Sequence, residues 1–301
     1  MNHTKKVVLI VAGALVLIGI LLALLALGMG GFRLDRLGSD FPYERKRYTF
    51  AETELRGLAI NNVADDILVY PSSTGEIEVE CYENDHAYYK VELGADGVLR
   101  VDYEEGEWQK GFGLHFNSEE HVLRIAIPPT VTGKGEISTV SADMQLQDIR
   151  FEDGFSASTT SGELELAHMA SGASVTIHTV SGDLLLDGAE IDGDFSVETV
   201  SGELECNDVR VSGWLRMDNT SGEIDFRNLA AEAFEIDSIS GNIYGVVLGA
   251  ASDYDIQADS VSGNLDIARK TGGQKPFQIS TTSGNIRIDF VENMENIEGI
   301  E

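Results

Sequence analysis

Five carboxylates recur at a fixed interval in the second half of this chain: Asp143, Glu163, Asp183, Glu203 and Glu223, each twenty residues after the last. Calcium is held by oxygen ligands, carboxylates among them. On adjacent strands these side chains would lie about 5 Å apart, where two hydrated unit charges repel by about 1 kcal/mol. Such a row is either splayed into solvent or relieved by cations. Weak Ca²⁺ binding along it is therefore the sharpest chemical expectation, and no other cofactor is expected. The plainer alternative is a screened turn position whose charge deters unwanted strand pairing.

The remaining chemistry is sparse. His86, His115, His121, His168 and His178 show no metal-ligand spacing and are expected at the surface. Serines abound, but none lies in a nucleophile elbow with a matched histidine. Arg210, Arg216, Arg227, Arg269, Lys270 and Arg287 form no periodic set that could grip an acidic polymer. Glycoside hydrolysis needs only two carboxylates, and here too many exist to select a pair. No residue is assigned as catalytic, and the chain is read as no enzyme.

What must position the carboxylates is a repeat. A hydroxyl-x-Ser-Gly phrase ends at Gly162, Gly182, Gly202, Gly222, Gly241, Gly263 and Gly284, with Asn219 heading one copy and a degenerate copy at Thr139-Val-Ser141-Ala142. Successive serines lie 20, 20, 20, 20, 19, 22 and 21 residues apart, a period that marks stacked repeats. After each phrase the chain alternates, as in Glu203-Leu-Glu205-Cys206, and it alternates again before it, as in Phe195-x-Val197-x-Thr199. Period two indicates half-buried strands, two per repeat, separated by turns such as Asp187-Gly188 and Asp192-Gly193. Stacked coils set like over like and let hydroxyls and amides form ladders; an antiparallel meander, barrel or sandwich would leave the repetition without a cause. The expected fold is all-β, a single-stranded parallel β-helix or β-solenoid with coils of about 20 residues, each phrase placing its Gly where the backbone needs positive φ or close approach.

Residues 7–29 are uncharged and apolar, long enough as a helix to cross about 30 Å of hydrocarbon. Residues 1–31 are read as an N-terminal transmembrane anchor; a cleaved signal peptide is the rival. Residues 32–47 form a juxtamembrane linker. Its Arg45, Lys46 and Arg47 either flank the membrane or hold anionic headgroups. Residues 48–137 read as irregular N-terminal coils with an aromatic insertion at 103–120, residues 138–290 as regular repeats, and residues 291–301 as an acidic C-terminal tail or cap. The insertion carries Trp108, Phe112, His115 and Phe116, either a cap or a partner-binding loop. Cys81 and Cys206 fall at apolar parity and are expected as free core thiols. Residues 48–301 hold 14 Lys and Arg against 48 Asp and Glu, a balance of −34, which excludes nucleic acid as a partner.

Ordered along the chain, Asn62-Val-Ala-Asp-Asp66-Ile67-x-Val69, Asp96-Gly-Val-Leu99-x-Val101, Val122-Leu-x-Ile-x-Ile127-Pro128 and Ile137-Ser-Thr-Val-Ser141 lead into the repeats. This set resembles the bacterial putative-adhesin family, membrane-anchored β-solenoids of unknown biochemical function linked to cell-envelope stress systems. The resemblance spans about residues 48–290 and departs at Ala64 and Ala142. It implies a parallel β-helix in an extracytoplasmic location and supplies no catalytic residues. The chain is thus expected to be a single-pass protein of the cell membrane, its C-terminal domain outside, that binds or scaffolds without catalysis. Expected partners are the bilayer, through residues 7–29, and an envelope protein, cationic peptide or cationic polymer. The alternatives are a polysaccharide-active β-helix enzyme and a purely structural spacer.

Overall fold

The computed structural model describes residues 42–51, 54–106, 121–268 and 272–292. The apolar span 7–29, the four aromatic insertion residues Trp108, Phe112, His115 and Phe116, and the acidic tail beyond Glu292 lie outside the described residues. Among the described residues no helix is long and apolar enough to cross a membrane.

The fold is a parallel β-helix. Phe195–Ser201 runs in register with Val175–Ser181 on one side and Leu215–Ser221 on the other, so Val175, Phe195 and Leu215 stack. On the second face Met144, Leu164, Leu184, Leu204 and Ile224 stack likewise. All these side chains are at most 1% exposed, so the alternation seen in sequence becomes one core running the length of the solenoid. The coils between Thr130 and Asn207 have three strands each, not the expected two. Arg150–Phe151, Ala170–Ser171 and Glu190–Ile191 form a third, two-residue face. A two-residue strand is too short to show a period. The corner before it holds Asp148, His168, Asp208 and Asn228 at φ of 50–55° and Gly188 at 67°, the left-handed region that Gly, Asn and Asp tolerate best.

Coil order departs from sequence order at both ends. Coil 275–291 lies between coils 234–248 and 254–267: Phe277 pairs with Phe234 and with Ile256, and Ile286 pairs with Ile243 and with Leu265. Among the described residues, the coil met last along the chain is therefore next to last in space. At the other end Gly57–Asn61 and Asp66–Pro71 sit between coil 135–147 and the strands Val98–Glu105 and Val122–Ile127. Beyond these two strands the sheets continue antiparallel, with Ala87–Leu93 on one face and Ile77–Glu83 then Glu44–Phe50 on the other. Residues 44–47, expected as the end of a linker, belong to the strand Glu44–Phe50. Its Arg47 pairs with Glu80 at 2.9 Å and Glu78 at 3.8 Å, and Arg45 with Glu80 at 3.8 Å. These cations dock onto the cap's own acids.

Parallel neighbours stand near the Cα separation a disulfide requires, whereas next-nearest coils do not. In a background with both native cysteines replaced by alanine, Ser240→Cys with Ser283→Cys should oxidise to an internal disulfide. Ser240→Cys with Ser262→Cys should stay reduced. Mass spectrometry after mild oxidation decides the order of the last three coils.

Candidate functional site

The repeated phrase forms one corner of the solenoid, and each of its positions becomes a column along the axis. The first hydroxyl or amide points inward: Thr139, Thr159, Thr179, Thr199, Asn219, Ser238 and Thr281 are all at most 6% exposed. Thr159 Oγ1 donates to the Ser161 carbonyl at 2.8 Å and Asn219 Nδ2 to the Gly202 carbonyl at 3.3 Å. Thr139, Thr179, Thr199 and Ser238 hydroxyls find no partner among the described residues.

Glycine is required because the coils pass within backbone contact. A β-carbon on Gly182 would stand 2.1 Å from the Gly162 carbonyl oxygen, and one on Gly202 would stand 2.2 Å from that of Gly182. The series continues through Gly222 at 2.0 Å and Gly241 at 1.8 Å. Positive φ is a secondary reason, holding at Gly162 (122°) and Gly222 (138°) but not at Gly182 or Gly241.

The predicted carboxylates are brought together as a column. Asp143, Glu163, Asp183, Glu203 and Glu223 precede the stacked residues Met144, Leu164, Leu184, Leu204 and Ile224. Asp66 joins them at the N-terminal end, since Ile67 pairs with Met144. Their role toward the fold is specific: Asp66 Oδ1 accepts the Asp143 N–H at 3.0 Å, Asp143 Oδ1 the Glu163 N–H at 2.8 Å, and Asp183 Oδ1 the Glu203 N–H at 2.8 Å. Asn242 and Asn285 accept from Asn285 and Asn264 in the same way, at 3.0 and 2.9 Å. The carboxylates stand in single file. Among the described residues no three His, Cys, Asp or Glu side chains gather in a metal-holding cluster.

Sequence reasoning passed over the x of the phrase. Val63, Val140, Val180, Val200, Ile239 and Val261 form an outward column, 38–83% exposed, continued by exposed Thr160, Thr220 and Thr282. Every member is β-branched, a signal visible in the sequence though none of these side chains is reactive. Beside the column, exposed serines border an open groove of about 400 Å³ lined by Gly162, Glu163, Ser181, Gly182, Asp183, Ser201 and Gly202. On its other flank lie His178, Glu198, Asp218 and Asp237, and His178 Nδ1 is 3.1 Å from Glu198 Oε2. Partial burial, then the neighbouring Asp237, Glu198 and Glu235, raise the Asp218 carboxyl above its ordinary value. The same corner thus carries crowded negative charge on both sides of an apolar stripe.

Two further expectations meet the structure differently. Cys81 and Cys206 are free and buried, and burial followed by Glu205 pushes the Cys206 thiol up to about 12. His121 is buried at 6% exposure instead of lying at the surface. Its ring stacks on Tyr82 at 4.8 Å and tilts against Tyr43 at 4.3 Å. Close by, Tyr89 lies 2.8 Å from Asp65 Oδ2 and 2.7 Å from Asn62 Oδ1 as hydroxyl donor. Asp65 occupies the glycine position of the first copy, and burial raises its carboxyl above the ordinary range against the opposing pull of Tyr89 and His121.

The sequence profile of the family described as Toastrack DUF4097 matches residues 55–299. No curated protein sequence matches the chain. Among solved structures, a putative lipid binding protein from Parabacteroides distasonis ATCC 8503 is similar at 17% identity and a TM-score of 0.44, covering 83% of this chain and 97% of its own. A putative adhesin from Bacteroides fragilis NCTC 9343 is similar at 11% identity and a TM-score of 0.34, covering 84% of this chain and 100% of its own. A putative cell adhesion protein from Clostridium sporogenes ATCC 15579 matches at 11% identity and a TM-score of 0.28, covering 83% and 100% of the two chains.

Two outcomes follow from this geometry. Gly202→Ala should cost at least about 2 kcal/mol in urea unfolding, because the Gly182 carbonyl must move, whereas Val200→Ala on the exposed column should stay within about 0.5 kcal/mol. For Asp65 the raised carboxyl means the folded state binds the proton more tightly than the unfolded chain. Its contribution to stability is present below the ordinary carboxyl range and is lost as pH rises through the raised value. Asp65→Asn should therefore increase stability at neutral pH and flatten that part of the pH profile, read as Tm against pH.

Proposed function

The chain belongs to the Toastrack DUF4097 family, and from that premise we propose that it is a non-enzymatic binding and scaffold module of the bacterial cell envelope. Held to the membrane through the uncharged span 7–29, it presents its acidic solenoid outside the cell and serves an envelope stress response there. Its partner is an envelope protein, a cationic peptide or a cationic polymer.

One observation carries the reading: outward-facing groups of the corner repeat coil after coil and do not converge. The groove at Gly162–Gly202 is lined by glycine, serine and single-file carboxylates of successive coils, whereas a catalytic constellation sets unlike groups around one reacting atom. Repetition along an axis suits a long ligand held by many equal contacts. The balance of −34 across residues 48–301 gives that ligand its sign.

A photoreactive amino acid at Val200 in the full chain, expressed in living cells, should capture a discrete partner on irradiation. The same group at Glu190, on the two-residue face, should capture none. Absence of any adduct at Val200 counts against a binding role for this corner. Turnover of a uronate or amino-sugar polymer that is lost with one carboxylate substitution would replace the reading with an enzyme.

A further inference from the structure

Among the described residues seven large hydrophobic side chains are exposed, and six of them stand in the single column of Val63, Val140, Val180, Val200, Ile239 and Val261. A monomer scatters its exposed apolar groups, so a line of them, spaced by Thr160, Thr220 and Thr282 and rimmed by polar residues, marks a contact surface. Taking the corner as a binding surface, as above, we propose that its ligand is a linear cationic glycan. An amino-sugar polymer would lie along the solenoid axis, with its ring faces on the β-branched column and its ammonium groups over the flanking carboxylates.

Charge selects among occupants. One flank carries Glu163 and Asp183 in the groove, and the other carries Glu198, Asp218 and Asp237 in register. A second copy of this chain would set acid against acid, and a nucleic acid or an anionic lipid surface would be repelled. A cationic chain is attracted from both sides.

Spacing then separates glycan from peptide. Coils repeat every 4.7–4.9 Å or so. An extended peptide places side chains of one face about 6.6 Å apart, so it falls out of step with the column within a few coils. A pyranose ring linked across its long diagonal advances by close to one coil, and the β-1,4 linkage turns alternate rings over, so a glucosamine polymer stays in step with the column while its ammonium groups face the two acidic flanks in turn. The chemistry of each column suits such a ring: methyl groups of Val180 and Val200 for its C–H face, exposed serine hydroxyls for its hydroxyls, and the glycine-floored groove for its substituents.

Isothermal titration of the full chain in lipid nanodiscs with a fully de-N-acetylated β-1,4-glucosamine hexamer tests this. Binding should tighten from tetramer to octamer and weaken with salt. The N-acetylated hexamer and hexalysine should each bind at least tenfold more weakly. Val180→Lys combined with Val200→Lys should weaken the glucosamine hexamer at least tenfold with Tm unchanged. Glu190→Lys, which alters bulk charge on another face, should leave affinity within about twofold. Hexalysine binding as tightly as the glucosamine hexamer, no binding of the latter, or equal losses in the Val and Glu190 variants would each overturn the proposal. A protein captured from Val200 in cells, with no glucosamine binding in vitro, would overturn the glycan while leaving the binding-module reading intact.

Discussion

The structure depends on one close approach, repeated from coil to coil. The carbonyl of each corner glycine points at the next glycine and ends 1.8–2.2 Å from where a β-carbon would stand, a distance at which no side chain fits. That contact fixes which residues can occupy the corner and holds successive coils in register. From it the core columns follow. Once Gly182 lies over Gly162, Leu184 must lie over Leu164 and, one face earlier, Ile177 over Ala157. The apolar columns then bury themselves against their own kind, and no single coil could do this alone. The carboxylates complete the arrangement. Asp143 and Asp183 each accept a backbone N–H of the coil beyond, so a residue that reads as reactive in sequence acts first as a side-chain rung of the ladder.

Much of this was legible because a repeat makes its physics redundant. The phrase ending at Gly162 and its later copies specified the corner, and the parity of Leu164-x-Leu166 and Phe195-x-Val197 specified which side chains face inward. Coil order was not legible, for the same reason. Phe277 matches Phe234 and Ile256 equally well, and Ile286 suits Ile243 and Leu265 equally. Degenerate columns impose parallel register but leave the order of coils to loop lengths. The third face escaped because Glu190–Ile191 and its equivalents are two residues long. His121 escaped because nothing in its neighbourhood announces that Tyr43 and Tyr82, distant in sequence, will enclose it.

The column of Val180 and Val200 was missed for a different reason. Read as hydroxyl-x-Ser-Gly, the phrase places no constraint on its x. Structurally it is the most outward position of the corner, and an outward position occupied only by Val, Ile or Thr is unusual for a surface otherwise crowded with Asp and Glu. β-branching favours extended backbone, which accounts for the residue class. It does not account for valine at 51% exposure where threonine would serve the strand equally. That difference between the local requirement and the residue present makes the column a surface feature in its own right.

Interposed coils at both ends resolve a difficulty that every open solenoid faces, since a terminal strand offers unpaired backbone to any passing edge. At the N-terminal end the sheets turn antiparallel, and among the described residues the outermost strand of one face, Glu44–Phe50, carries Arg45, Lys46 and Arg47. These charges suit an edge that must not recruit further strands. At the C-terminal end coil 254–267 is outermost among the described residues, and it carries Asp255, Asp259 and Asp266 on its strands. Antiparallel self-pairing of Tyr254–Ser262 about Gln257 would set Asp255 of one copy opposite Asp259 of the other, a repulsive match. Coil 254–267 is moreover tied on both sides, because the chain enters it from coil 234–248 and leaves it for coil 275–291. An outermost coil tethered at both ends cannot peel away from one free terminus. Interposition thereby converts the weakest rung of the stack into one that must open as a closed loop.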